Sequence, residues 1–86
     1  MDKKEYWINW LEMSLVNGDR KIYQHALYDS VTGWDAVEKQ LEWLRKRDTV
    51  ISAWVCFNGG KLVAHEAYYN SVGERELPPM SRPQDA

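Results

Sequence analysis

Residues 32–47, TGWDAVEKQLEWLRKR, carry the clearest structural pattern of the sequence. At the 100° spacing of a helix its large apolar side chains form a single stripe, which consists of Trp34, Val37, Leu41 and Leu44. Thr32 can cap the N-terminus with Asp35 as its capping-box partner, and the cations of residues 45–47 complement the dipole in the last turn. The pattern predicts an amphipathic helix whose apolar stripe lies on a sheet.

A hairpin is predicted on the N-terminal side of this helix. Residues 6–16 fit a helix, with a stripe of Trp7, Trp10, Leu11 and Leu15, or a strand, with a shared face of Trp7, Leu11, Met13 and Leu15. Asn17-Gly18 favours the strand, because the two central positions of a type I′ turn both require positive φ. Residues 20–28 then continue as the second strand of the hairpin.

A second hairpin is predicted after the helix, from residues 50–57 and 61–69. If Asn58-Gly59 forms its turn, Cys56 lies opposite Lys61 and His65 lies opposite Ser52. The two hairpins are also similar in sequence, since in each an Asn-Gly pair precedes a lysine that is followed four residues later by a histidine. This similarity fits either an internal duplication or the convergence of Asn-Gly hairpins on similar residues.

The predicted architecture is α+β in the order ββαββ, with a four-stranded antiparallel sheet and one helix packed on one of its faces. The opposite face is left to solvent or to a partner. We expect one compact domain over residues 1–73. All three prolines follow residue 77 in a polar segment, so residues 74–86 are predicted to form a disordered tail.

Composition excludes several classes of protein. The 86 residues carry 11 Lys and Arg against 13 Asp and Glu, a net charge of −2, which is unlike the dense basic surface of a phosphate-binding domain. The N-terminal residues form neither a signal peptide nor a membrane span, and the single cysteine fits a reducing compartment. We therefore expect a cytoplasmic protein that does not contact a membrane.

No residue pattern in the chain indicates catalysis or metal binding. His25 and His65 are the candidates for a general base or a metal ligand, but neither lies in a motif with an orienting group and a nucleophile. Cys56 is out of register with His65 in the second hairpin, and two histidines are too few for a closed zinc site. We expect no enzyme activity, no metal and no cofactor, and a structural or surface role for both histidines.

Aromatic residues carry the strongest functional signal, since the chain has 5 Trp and 5 Tyr but only 1 Phe. A short chain needs large rings to fill its core, where we expect Trp7, Trp34 and either Trp54 or Trp10. Trp43 lies off the apolar stripe of the helix. We predict a partner-binding surface around it that comprises Ala36, Gln40, Trp43, Arg47 and Tyr68. Alternatively, Trp43 folds back onto a loop or onto the N-terminal segment.

These observations favour a non-enzymatic protein-binding domain. Its partner is another protein, and a second copy bound through an exposed sheet edge is one such partner. Small size and mild acidity also suit a phage- or plasmid-type inhibitor that docks on a nucleic-acid-handling host protein. The alternative is RNA or single-stranded nucleic-acid binding through the basic helix end, residues 45–47, and the sheet aromatics. A small enzyme built on His25 or His65 is the third hypothesis.

Overall fold

One helix packs on one face of an antiparallel sheet of five strands. The computed structural model describes residues 4–57 and 60–79. Its elements are, in chain order, β1 (Glu5–Val16), β2 (Asp19–Ala26), β3 (Val31–Thr32), α1 (Trp34–Arg45), β4 (Val50–Phe57) and β5 (Lys61–Ala67). The predicted α+β class and antiparallel sheet are confirmed, whereas the predicted count of four strands is wrong.

The additional strand arises because the chain leaves the sheet after β2 and then returns to it. The sheet order is β2-β1-β4-β5, and β3 pairs with the first residues of β1, beyond the end of β2. Asp29 and Ser30, which favour turns, follow Tyr28 in this excursion, and the Tyr28 side chain is 99% exposed. The strand predicted over residues 20–28 therefore ends early, and residues 31–32 form a short strand of their own.

The first hairpin has the predicted turn. Val16 pairs with Asp19, which leaves a loop of two residues between the strands. Asn17 has a φ of 54° and Gly18 a φ of 84°, and a type I′ turn requires positive values at both positions. The Asn-Gly pair thus fixes the register of β1 against β2.

The second hairpin has a longer loop than predicted. Phe57 pairs with Lys61, so three residues, 58–60, connect the strands; the predicted turn residues 58 and 59 lie outside the described residues. An irregularity between Val55 and Cys56 shifts the register by one further residue. The longer loop pairs Cys56 with Leu62 and not with Lys61, and the loop and the irregularity together pair His65 with Trp54 and not with Ser52. Both predicted pairings were wrong.

Helix α1 is shorter than the predicted segment, but its apolar stripe is confirmed. Thr32 pairs with Glu5 in the sheet, so Gly33 takes the N-cap position and no side chain caps the helix. The predicted capping role of Thr32 is therefore wrong, because strand pairing takes that residue out of the helix terminus. The buried residues of α1 are Trp34, Val37, Leu41 and Leu44.

The core lies between α1 and the even-numbered side of β1. Tyr6, Ile8 and Trp10 are at most 7% exposed, and they pair with Phe57, Val55 and Ala53 of β4. Alternation along the strand then places the odd-numbered side chains on the opposite face. Trp7, which was expected in the core, is 42% exposed there, so that expectation was wrong.

Residues 74–79 pack against the C-terminal end of α1. Arg75 donates hydrogen bonds to the carbonyl oxygens of Arg45 (2.7 Å) and Val50 (2.8 Å), and its guanidinium lies over the Tyr68 ring. The N–H of Glu76 donates to the carbonyl of Tyr68 at 2.9 Å. Residues 74–79, which the prediction assigns to the tail, therefore lie packed against the preceding residues. Residues 80–86 of the predicted tail lie outside the described residues.

Candidate functional site

A polar and aromatic group of side chains lies around the C-terminal turn of α1. It is called here the helix-end cluster and comprises Trp10, Glu12, His25, Trp43, Arg47 and Thr49. Trp43 is 46% exposed and meets the edge-on ring of Trp10, with 6.0 Å between ring centroids and 84° between the planes. The Arg47 guanidinium lies 4.9 Å from the centre of the Trp43 ring. Trp43 is therefore a half-exposed ring that is held in place on two sides.

Glu12 is the electrostatic centre of the helix-end cluster. Its carboxylate accepts hydrogen bonds from the Trp10 indole (3.0 Å), the Thr49 hydroxyl (2.6 Å) and the Arg47 guanidinium (2.5 Å). Burial by itself raises the pKa of Glu12, but these hydrogen bonds and the Arg47 charge outweigh it and lower the pKa from 4.5 to about 2. The carboxylate is therefore ionised at neutral pH and fully engaged within the protein.

The two histidines lie on opposite faces of the sheet and in its two edge strands. His25 of β2 pairs with Trp10, and the two rings stack with 5.7 Å between centroids. His65 of β5 pairs with Trp54, on the face away from the helix. β1 and β4 separate these strands, which puts roughly 14 Å between the two backbones. The histidines are too far apart to act on one substrate atom or one metal ion.

The surface predicted on α1 is brought together only in part. Ala36 and Gln40 are half-buried, while Trp43 and Arg47 are exposed at the end of the same helix. Tyr68 has 0% exposure in the core, where its hydroxyl donates to Glu66 at 3.1 Å. Its inclusion in the predicted contact surface is therefore corrected, because a buried ring offers nothing to a partner.

Glu66 explains why Tyr68 and the cation at residue 45 face inward. This carboxylate is 7% exposed and receives two hydrogen bonds from Arg45, at 3.0 and 2.9 Å. Arg45 also donates to the carbonyl oxygen of Pro78. Burial and the neighbouring Glu66 charge raise the pKa of Tyr68. A buried bidentate ion pair thus fastens α1 to β5 and to the C-terminal segment.

Every cation of the predicted basic helix end has an acidic partner. Arg45 pairs with Glu66 at 2.9 Å, Arg47 pairs with Glu12 at 2.5 Å, and Lys46 pairs with Glu42 at 3.5 Å. The three pairs neutralise the local positive charge. The helix end does not present the unpaired basic surface that a phosphate backbone would bind.

The face of the sheet opposite α1 carries a second group of large side chains, called here the open face. By strand alternation and register it comprises Trp7, Leu11, Met13, Leu15, Ile22, Trp54, Cys56 and Leu62. The exposed fractions are 42% for Trp7, 72% for Leu15, 59% for Ile22 and 57% for Leu62. A depression of about 380 Å³ on this face is lined by Trp7, Asn9, Cys56 and Gly60.

Half of the open face is recognisable in the sequence pattern, but the prediction placed one of its residues, Trp7, in the core. The shared strand face of Trp7, Leu11, Met13 and Leu15 is visible in the sequence, yet Trp7 was expected to fill the core. The signal that separates the two faces is length. Only the part of β1 around Ile8 lies under α1, whereas apolar residues continue on the odd-numbered side as far as Leu15, beyond the reach of one twelve-residue helix.

Comparisons with models of protein families, with curated proteins and with solved structures find no match to this chain. Within residues 4–57 and 60–79, no group of three or more His, Cys, Asp or Glu side chains is placed to hold a metal ion. The same residues include no helix with the length and apolarity of a membrane span. The helix-end cluster and the open face are the candidate contact surfaces of the described residues.

Proposed function

We propose that this chain is a non-enzymatic protein-binding domain whose principal contact surface is the open face. The observation that supports the proposal is the row of exposed apolar side chains on the face that α1 does not cover, with Leu15 72% and Leu62 57% exposed. Contiguous apolar surface of this kind is unusual on a soluble monomer and is typical of interaction sites. Aromatic residues at the centre of such a surface are strong contributors to binding.

The partner of the open face is a protein with a complementary apolar surface and a polar rim. Around its apolar residues the open face also carries Arg20, Gln24 and His65, which lie on the edge strands. This arrangement, with an apolar centre and polar flanks, is the usual composition of a protein–protein interface. Trp43 and Arg47 form a second, smaller contact region on the opposite side of the domain. The particular form that we propose is an inhibitor that docks on a nucleic-acid-handling protein, which the small size and the net charge of −2 favour.

Pairing of the helix-end cations supports a protein partner over a nucleic acid. Arg45 and Arg47 each hold a carboxylate, and Glu12 and Glu66 would compete with any phosphate for them. Aromatic rings on the open face could stack on bases. Proteins that bind single strands combine such rings with a basic groove along the backbone, and the paired cations of the helix end do not supply one. RNA or single-stranded DNA binding is therefore the alternative that the experiment below distinguishes.

The test is affinity capture from the native cell with tagged protein, followed by mass spectrometry and by binding measurements on the captured protein. Leu15→Lys and Leu62→Lys place a charge on the open face and should each weaken binding at least tenfold. Val72→Lys and Leu77→Lys are the matched controls, because both residues are exposed apolar side chains outside the sheet strands. The controls should bind like the wild type.

Two results would overturn the proposal. One is equal binding by the wild type and by all four lysine variants, which would exclude the open face as the contact surface. The other is tight binding to RNA or single-stranded DNA at low salt with a steep loss as salt rises, the behaviour of a phosphate-binding protein.

A further inference from the structure

The two edges of the sheet differ in how they are protected. β5 is interrupted by an extra residue, Val63, and its continuation at Tyr69 pairs with Arg75 of the C-terminal segment. β2 pairs with β1 in one uninterrupted register over eight residues, all of which are exposed, and it contains no proline. Among the described residues, no strand covers its outer side. Proteins usually block a straight edge of this length, because it is a template for strand addition.

The hydrogen-bonding phase of the hairpin shows which backbone groups of β2 point outward. Leu27, one residue beyond β2, donates its N–H to the carbonyl of Ile8 at 3.0 Å, so residue 27 bonds toward β1. In an antiparallel pair, inward and outward bonding alternate along the strand. The outward N–H and C=O groups therefore belong to Arg20, Ile22, Gln24 and Ala26. Their side chains lie on the open face, opposite odd-numbered residues of β1.

We propose that two copies of this chain pair through β2, antiparallel, around a two-fold axis at Ile22. In this register Arg20 of each copy lies opposite Gln24 of the other, and Ile22 lies opposite its own equivalent. These three residue pairs all have outward backbone groups, so they form about six new hydrogen bonds. Residues 19–25 of each copy take part, and the two sheets become one.

Side-chain complementarity selects this register over its neighbours. On the helix side of the sheet it places Asp19 opposite His25 and Lys21 opposite Tyr23, while Ile22 makes an apolar contact across the axis. An axis at Lys21 would put two lysines face to face. An axis at Tyr23 would put Lys21 opposite His25 and would place Ile22 opposite Gln24. Only the axis at Ile22 both places Ile22 opposite its own equivalent and brings the Asp19 carboxylate opposite the imidazole of His25, which can donate a hydrogen bond to it.

Dimerisation through β2 places the two open faces side by side on the same side of a continuous sheet. The surface offered to a third protein is then doubled and symmetric. The dimer does not depend on the proposed function, since β2 pairing uses backbone groups and not the exposed residues Leu15 and Leu62. Failure of one proposal therefore leaves the other standing.

Cysteine cross-linking tests the register of the dimer. In a Cys56→Ser background, Ile22→Cys brings two thiols together at the axis, with Cα atoms about 5.5 Å apart, which is within disulfide range. We expect a covalent dimer under mild oxidation. Gln24→Cys is the matched control, because it lies on the same edge and face but opposite Arg20 of the second copy. It should remain uncross-linked.

Sedimentation velocity over a concentration series tests the association itself. Ile22→Pro removes the outward N–H without removing a hydrogen bond to β1, so the monomer keeps its fold and the dimer loses two symmetric bonds. The dissociation constant of the dimer should rise by roughly 30-fold or more. Ile22→Lys, which places two ammonium groups at the axis, gives the same test without a change of backbone. Unchanged circular dichroism in both variants shows that the fold is intact.

The expected result is a wild-type dimer, a selective Ile22→Cys cross-link and monomeric Ile22→Pro and Ile22→Lys variants. A wild type that stays monomeric at all concentrations overturns the proposal. A dimer that both Ile22 variants leave intact shows pairing through another surface and also overturns it. Cross-linking through Gln24→Cys in place of Ile22→Cys overturns the register.

Discussion

Glu12→Gln removes a negative charge from the centre of the helix-end cluster while preserving the size of the side chain. The depression of the Glu12 pKa from 4.5 to about 2 corresponds to about 3 kcal/mol in favour of the ionised native state. The Arg47 side chain is 42% exposed, so water screens part of this interaction. We therefore expect the variant to lose about 2 kcal/mol of unfolding free energy at pH 7.

The pH dependence of this difference identifies its cause. Because the folded pKa of Glu12 lies below the unfolded one, the carboxylate stabilises the native state fully above about pH 4.5. That contribution is lost as the pH falls from about 4.5 to about 2, where the protonated acid resembles glutamine. Other carboxylates titrate in the same range, so the informative quantity is the difference between wild type and variant.

Urea denaturation monitored by tryptophan fluorescence, at a series of pH values from 7 to 2, measures that difference. It should be about 2 kcal/mol near pH 7 and should approach zero near pH 2. Added salt should reduce only the Arg47 part of it, since the hydrogen bonds from Trp10 and Thr49 do not depend on screening. A difference that stays constant across the whole pH range would show that ionisation of Glu12 is not the cause of the stabilisation.

Three further substitutions test other parts of the structure. Arg75→Ala should cost about 2 to 3 kcal/mol of unfolding free energy in urea denaturation, because it removes the two short hydrogen bonds to the carbonyls of Arg45 and Val50 and the contact with Tyr68. A loss below about 0.5 kcal/mol would contradict the packed position of residues 74–79. Trp43→Ala should cost about 1 to 2 kcal/mol through the lost contact with Trp10, and a loss above about 4 kcal/mol would instead indicate a core residue. Gly18→Ala should lower the unfolding free energy by about 1 kcal/mol, because φ at this position is positive, and the loss should appear as a lower melting temperature. An unchanged melting temperature would contradict the type I′ turn.

Local rules predicted the parts of the fold that depend on neighbouring residues. The Asn17-Gly18 turn requires positive φ at two adjacent positions, and few residues other than Asn and Gly adopt it easily. The apolar stripe of α1 follows from spacing alone, which is why Val37 and Leu41 are buried as expected. Both features are encoded within a few residues.

The ion pairs and the choice of the covered sheet face depend on contacts between residues that are distant in the chain, which the spacing of residues does not reveal. Arg45 and Arg47 were attributed to the helix dipole, but their partners Glu66 and Glu12 are 21 and 35 residues away in the chain. Tyr68 is buried beside the first of those ion pairs, where its hydroxyl donates to Glu66. Local rules also do not show which face of β1 the helix covers. Trp7 and Trp10 are equally apolar, and the alternation of side chains along a strand defines two faces without showing which of them packs against α1.

The position of β1 in the middle of the sheet determines the order in which the chain can fold. β1 pairs with β2 across a two-residue turn, whereas its pairing with β4 must wait for residues 50–57. The early hairpin therefore leaves the ribosome with one side of β1 unpaired and with Ile8 and Trp10 uncovered. Closing the β1–β4 ladder brings together residues about 40 to 50 positions apart and is expected to limit the folding rate. We expect refolding in the millisecond-to-second range typical of β-rich topologies, with the β1–β2 hairpin protected from hydrogen exchange before β4 and β5.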